Sequence, residues 1–309
     1  MNITKEKQFI FLIGAPRSGT TMLFNSISAH PSVSSANIEI NLFSDYIAPL
    51  VGNYEKEEDK SGERGGGVSG LPLLISREKF DDSVMNLIDT VYKSFNISPA
   101  HTVVLDKCPS YSQCTGLINY YVPNAKYIHI IRDGRDMAFS WYKLAATGWL
   151  KKDFKTACLD WIRLKNLAKT ARKFNKNYYE LHYEDLLHNS ASELNKVFAF
   201  CKLDASLELV QSIVEKNMGE KNMVSASDSS VSFKDRVSGD RLWAKRMSKM
   251  QVFIAQKYLT TDLIAEGYEK NKYWGLNPFQ NFMYSIIYFL SNSYAKAARI
   301  SNKIARKLT

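Results

Sequence analysis

Ile10-Phe11-Leu12-Ile13-Gly14-Ala15-Pro16-Arg17-Ser18-Gly19-Thr20-Thr21-Met22-Leu23-Phe24 is the stretch that decides the fold. A short apolar run breaks into a turn with two glycines and a proline. A helical pattern follows, with Met22, Leu23 and Ile27 on one face, so the stretch reads strand, loop, helix. The spacing Gly14-x-x-x-x-Gly19 is that of a phosphate cradle, in which loop N–H groups and the first helical turn converge on an anion. The nucleotide-hydrolysing version of this loop has Lys after the second glycine and then Ser or Thr for magnesium. This chain has Thr20 and Thr21 instead.

Outward from that loop, alternating strand and helix patterns predict an α/β fold with a central parallel sheet flanked by helices in three layers, like that of P-loop NTPases. The 309 residues are 45% hydrophobic and carry a formal net charge of +10, which points to an anionic ligand or surface. The four cysteines, Cys108, Cys114, Cys158 and Cys201, form no C-x-x-C pair and have no histidine at metal spacing. Free thiols in a reducing compartment follow, so a cytoplasmic location is expected. The apolar run Phe9 to Ile13 after Lys5 and Lys7 is shorter than a signal-peptide core.

Further along, Asn37-Ile38-Glu39-Ile40-Asn41-Leu42-Phe43 sets one carboxylate among apolar neighbours. Glu39 reads either as a proton acceptor at the mouth of the loop or as an ordinary solvated residue. Residues 52–70 are charged and glycine-rich and predict a mobile loop or lid; a helix is expected over roughly 82–95. The apolar Val103 to Leu105 reads as a central strand ending at Asp106 and Lys107. Lys107 would there reach the same anion as the first loop, and Asp106 fits the magnesium-holding aspartate of a kinase. Lys126 to Tyr142 predicts a strand ending at Arg132, a turn through Asp133-Gly134, and a helix with Ser140 about two turns in. Arg132 and Ser140 are candidates for a second phosphate site, and His129 reads as a core residue.

Residues 154–174 predict a long helix with a basic face, 178–182 a strand, and Ser190-x-x-Glu193 a capping box. The polar segment 225–240, with Lys234 and Arg236, is a candidate closing loop. The end of the chain is aromatic and then basic. Its apolar part is interrupted by Asn277, Pro278, Gln280 and Asn281, and Phe282 to Leu290 is too short to span a bilayer. It reads either as a basic amphipathic tail on a membrane surface or as a segment packed on its own domain.

Together these motifs resemble those of sulfotransferases that use 3′-phosphoadenosine 5′-phosphosulfate (PAPS). In that family a Pro-Arg-Ser-Gly-Thr-Thr loop, here Pro16 to Thr21, binds the 5′-phosphosulfate. An Arg with a Ser eight positions on, here Arg132 and Ser140, binds the 3′-phosphate. The Glu39 segment is similar to the acidic motif of heparan-type carbohydrate sulfotransferases, and Asp106-Lys107-Cys108-Pro109-Ser110-Tyr111 to their Lys-x-Pro-x-Tyr motif. The Pro16 to Thr21 loop also resembles that of tyrosylprotein sulfotransferases, and Tyr183-Glu184-Asp185-Leu186 recurs in the family. Three departures stand out: Leu42 replaces the first residue of a Phe pair, Arg17 stands where many relatives have Lys, and Lys234-Asp235-Arg236-Val237-Ser238-Gly239 replaces an Arg-Lys-Gly-x-x-Gly loop.

The resemblance implies a sulfotransferase domain over residues 1–275 and an aromatic, basic helical tail over 276–309. It implies PAPS as donor and the bisphosphate PAP as product, held by Arg17, Ser18, Gly19, Thr20, Thr21, Arg132 and Ser140. Glu39 would be the general base, Arg17 and Lys107 would stabilise the transferring charge, and no metal is required. The implied partners are the nucleotide and a hydroxyl acceptor, a carbohydrate before a tyrosine or a lipid-linked or small molecule, with membrane contact through the tail and no nucleic acid. A P-loop nucleotide kinase and a non-catalytic basic scaffold are the competing readings.

Overall fold

The computed structural model describes residues 3–63, 70–95, 97–146, 153–174, 177–218, 242–291 and 293. The chain divides into two compact units, one formed by residues 1–132 and 163–240, the other by 133–162 and 241–309.

The first unit is built on five parallel strands: β1 (Gln8–Ile13), β2 (Val33–Ser35), β3 (Val103–Lys107), β4 (Lys126–Ile131) and β5 (Tyr178–His182). Their order is β2-β3-β1-β4-β5. Strands covered on both faces are apolar throughout rather than alternating, and β1 shows why. Phe9, Phe11 and Ile13 enter one core layer, and Ile10 and Leu12 the other. The first layer is covered by α3 (Ala48–Glu63), α4 (Arg77–Lys93) and α5 (Thr115–Tyr121), with α1 (Ile3–Glu6) beside α4. The second is covered by α2 (Thr20–Ser28), α9 (Tyr183–His188), α10 (Ser190–Cys201) and α11 (Leu207–Met218). The sheet is thus the middle of three layers, as expected. The connections from β1 and β3 pass to opposite sides of the sheet, and such a reversal leaves a crevice beyond the carboxyl ends of the strands.

Several local expectations are corrected. Residues 52–63 are helical rather than a loop, while 64–69 lie outside the described residues. Val51 and Tyr54 supply the buried stripe of α3, with Tyr54 stacked on Phe80 at 4.1 Å and donating to the Ile75 carbonyl at 2.9 Å. Arg77 then ties down Glu55 and Glu58 on the solvent side. The helix expected over 82–95 starts earlier, at Arg77, because Ser76 caps it by accepting from Lys79 N–H. The long helix 154–174 is two: α7 (Phe154–Lys169) and α8 (Ala171–Phe174), broken where the Thr170 hydroxyl donates to Leu167 O. The Ser190/Glu193 capping box is not formed. Ser190 Oγ donates backward to Leu186 O, and Glu193 pairs with Lys196.

The second unit contains α6 (Gly134–Ala146), α12 (Leu242–Arg246), α13 (Lys249–Ala265) and a helix over 278–291. Arg135 is buried at its heart, its guanidinium 4.3 Å from the Trp243 ring and 4.5 Å from the Trp274 ring. It pairs with Asp133, at 2.6 Å, and with Glu269. Gly134 has no room for a side chain, since a Cβ there would lie 2.7 Å from the Trp161 ring. Gln256 lashes the 275–276 turn to α13, accepting from Leu276 N–H at 2.8 Å and Gly275 N–H at 3.2 Å. Among the described residues no helix is long and apolar enough to cross a membrane.

Candidate active site

The loop between β1 and α2 takes a course that few residues permit. Gly14 has φ 151°, and a Cβ there would sit 2.6 Å from the Ile130 carbonyl. Gly19 has φ 92°, and a Cβ would sit 2.3 Å from the Tyr183 ring. Between them Arg17 is left-handed at φ 70°, a conformation uncommon outside glycine that is held where the surroundings dictate it. Ser18 N–H closes a turn onto Ala15 O at 3.2 Å. Gly19 then caps α2 without a side chain, leaving the first-turn N–H groups of that helix with no side-chain acceptor at the cap. Ser18 is 1% exposed and its Oγ has no hydrogen-bond partner among the described residues. A buried hydroxyl left unmatched is costly unless a ligand completes it. The loop therefore fits a phosphate or sulfate group.

The parallel register brings Lys107, at the end of β3, level with Leu12, one residue before the end of β1. Its ammonium reaches Glu39 Oε1 at 2.5 Å and Thr21 Oγ1 at 3.5 Å, and lies 5.6 Å from the Phe24 ring centre. The Lys107 side chain is 8% exposed and that of Glu39 42%, so the pair joins a nearly buried cation to a carboxylate open to solvent. Glu39 owes its position to two asparagines in left-handed conformation, Asn37 at φ 58° and Asn41 at φ 51°. Asparagine tolerates that region better than most residues. Asn41 Oδ1 also accepts from the Cys108 thiol at 2.7 Å, tying the Glu39 loop to the residue after Lys107.

Arg132, just beyond β4, donates from Nη1 to the Arg17 carbonyl at 3.0 Å, and its guanidinium lies 4.6 Å over the Tyr183 ring. Tyr183 thus floors Gly19 and supports Arg132 together. Its signal in the sequence was the Tyr183-Glu184-Asp185-Leu186 motif, which did not disclose this role. The structure brings Thr21, Glu39 and Lys107 into one group and joins Arg17 to Arg132. Thr20 is buried at the start of α2 and Thr21 exposed. Ser140 is part-exposed in the second turn of α6, in the second unit. Lys234 and Arg236 lie outside the described residues.

Asp106 does not take the magnesium-holding position. Successive residues of a strand point to opposite faces, and its carboxylate turns into the aromatic core layer, where Oδ2 accepts from Tyr92 at 2.7 Å and Tyr111 at 2.9 Å. Burial pushes its carboxyl up to about 6, against the pull of those two hydroxyls and of Lys107. His129 is a core residue, its Nδ1 2.6 Å from the Tyr178 hydroxyl. Among the described residues no group of three or more His, Cys, Asp or Glu side chains is placed to hold a metal ion.

A family model described as "Sulfotransferase family" matches residues 9–206. A provisionally named protein-tyrosine sulfotransferase of Caenorhabditis briggsae is 24% identical over 208 residues, covering 66% of this chain and 69% of that protein. Protein-tyrosine sulfotransferase A of Caenorhabditis elegans is 24% identical over 226 residues, covering 71% of this chain and 57% of its own length, so the chain spans little more than half of that relative. Among solved structures, mouse sulfotransferase SULT7A1 complexed with PAP superposes with a TM-score of 0.52 at 15% identity, covering 83% of this chain and 85% of that one, which is a likeness of fold.

Proposed function

Because the chain belongs to the sulfotransferase family, we propose that it moves a sulfuryl group from PAPS to an acceptor hydroxyl by in-line displacement, with Glu39 as general base. The observation that carries this reading is the Lys107 ammonium standing between Glu39 and Thr21, at the carboxyl end of β3. A cation beside a carboxylate and a phosphate loop is what the reaction needs. The carboxylate takes the proton while the acceptor oxygen bonds to sulfur and the sulfur–oxygen bond to the phosphate breaks.

Ser18, Gly19, Thr20, Thr21 and the backbone N–H groups of the loop hold the 5′ end of the donor, with Arg17. Arg132 takes the 3′-phosphate by its planar fork, and Ser140 is assigned to the same phosphate by its motif. Arg17 and Lys107 offset charge gathering on the sulfuryl oxygens and the departing phosphate. Positioning and charge stabilisation of this kind dominate a loose displacement, as they do in phosphoryl transfer. PAP in the mouse structure supports PAPS as donor and PAP as product. The cationic side chains and loop N–H groups suffice without a required metal.

The acceptor in this reading is a carbohydrate hydroxyl, supported by the Glu39 and Lys107 motifs. A tyrosine acceptor is the second reading, favoured by the names of the two Caenorhabditis relatives. The domain runs over 1–275. The protein works in the cytoplasm, supported by four free, buried cysteines, and touches a bilayer through 276–309. Incubation with labelled PAPS and a panel of glycan, tyrosyl-peptide, lipid-linked and small-molecule acceptors, read by mass gain of sulfate, tests the assignment. A magnesium-independent thermal shift with PAP but not ATP is expected; a shift with ATP and magnesium alone would restore the kinase reading.

A further inference from the structure

The residues that interrupt the apolar C-terminal stretch turn out to start a helix. Asn277 Oδ1 accepts from Gln280 N–H at 2.8 Å and Gln280 Oε1 from Asn277 N–H at 3.3 Å, a reciprocal cap with Pro278 at the first helical position. The helix 278–291 is docked by one side only. Tyr284 stacks near Phe253 at 6.5 Å and Tyr288 lies 5.8 Å from it. The Tyr288 and Tyr258 hydroxyls are 3.5 Å apart, and Lys257 lies 5.3 Å over the Tyr288 ring. Phe279, Phe282, Met283, Ile286, Phe289 and Leu290 point the other way. At 3.6 residues per turn they span an arc of roughly 120°, and they are between 43% and 72% exposed. An apolar face that large and that aromatic marks a contact surface.

We infer that this face lies in the plane of an anionic membrane surface, with the helix half-sunk at the headgroup level. The helix is about 21 Å long at 1.5 Å per residue, short of the roughly 30 Å hydrocarbon core, so it lies on a bilayer rather than across one. Charge selects the occupant. Beyond Glu269 the sequence has no acidic residue, and after the helix it carries Lys296, Arg299, Lys303, Arg306 and Lys307. Such a segment is attracted to anionic headgroups, whereas a second copy of this chain would bring like charge to the same patch. The inference deepens the membrane part of the proposed function and rests on it, but is independent of the sulfuryl chemistry.

Co-sedimentation of the full chain with phosphatidylcholine vesicles, with and without phosphatidylserine, tests it. Binding should be at least about tenfold tighter when phosphatidylserine is present and should weaken with salt. F282S/F289S, two exposed positions, should lose about tenfold or more while keeping its thermal unfolding midpoint. If that midpoint falls, F279S/L290S probes the same face. Replacing the five late basic residues with Gln should abolish the preference for phosphatidylserine. The inference is overturned by a wild-type chain that ignores both vesicles, by vesicle binding that neither serine pair weakens, or by a wild-type dimer in light scattering that F282S/F289S turns monomeric. A chain that transfers sulfate but ignores vesicles sinks this inference alone, and one that binds vesicles but not PAP sinks the enzyme assignment alone.

Discussion

Glu39–Lys107 at the carboxyl end of β3 and Asp133–Arg135–Glu269 in the second unit are both pairings of opposite charge, and burial separates what each can do. Glu39 is open to water while its partner Lys107 is nearly buried, so only one end of this pair is enclosed. The carboxylate can exchange that partner for another. Arg135 is 1% exposed, held by two carboxylates and enclosed by two indoles. Breaking that arrangement would strand two buried charges. An ion pair open on one side suits chemistry; one closed on all sides locks a fold.

Substitutions can break this contrast. Arg135→Ala should give the largest loss, about 3 to 5 kcal/mol of unfolding free energy by denaturant titration, because Asp133 and Glu269 stay buried; a midpoint near wild type would remove the distinction. Arg132→Ala should instead leave the fold and weaken PAP binding by about 2 to 4 kcal/mol, read by calorimetry. Glu39→Gln should lower turnover by roughly a hundredfold or more, hold PAP affinity, and change stability by less than about 1 kcal/mol. Wild-type-like turnover would take Glu39 out of the mechanism.

A further contrast concerns Asp106, whose neighbour Lys107 faces the site while it faces the core. Burial raises its carboxyl in the folded state to about 6 from an ordinary 3.8. A raised folded value means the protonated form is favoured by folding. The stability it contributes is complete below about pH 4 and is lost as pH rises through 6. Asp106→Asn should flatten the wild-type decline between those values in urea titrations, and should retain sulfuryl transfer. Equal slopes in the two proteins would contradict the burial argument, and loss of transfer would return Asp106 to the site.

What could be read without coordinates depended on sequence distance. The strand-loop-helix of 8–28 and the apolar runs ending at Lys107 and Arg132 announce themselves, since their signals lie within a few neighbouring residues. Strand β2 did not, because Val33–Ser35 is only three residues long and offers no period to count. Helix α3 was hidden by its own charge: composition suggested a loop, while the inward stripe of Val51 and Tyr54 needed Phe80 opposite it to count as core.

The chain's local pattern by itself determined the parallel α/β architecture and the glycine-bounded turn between β1 and α2, because apolar period and glycine spacing are properties of short segments. Only the tertiary structure decided that Lys107 meets Glu39, that Tyr183 supports both Gly19 and Arg132, and that Arg135 is locked by Glu269, 134 positions away. Those contacts are set by sheet register and packing, which join residues whose separation along the chain carries no signal of their meeting.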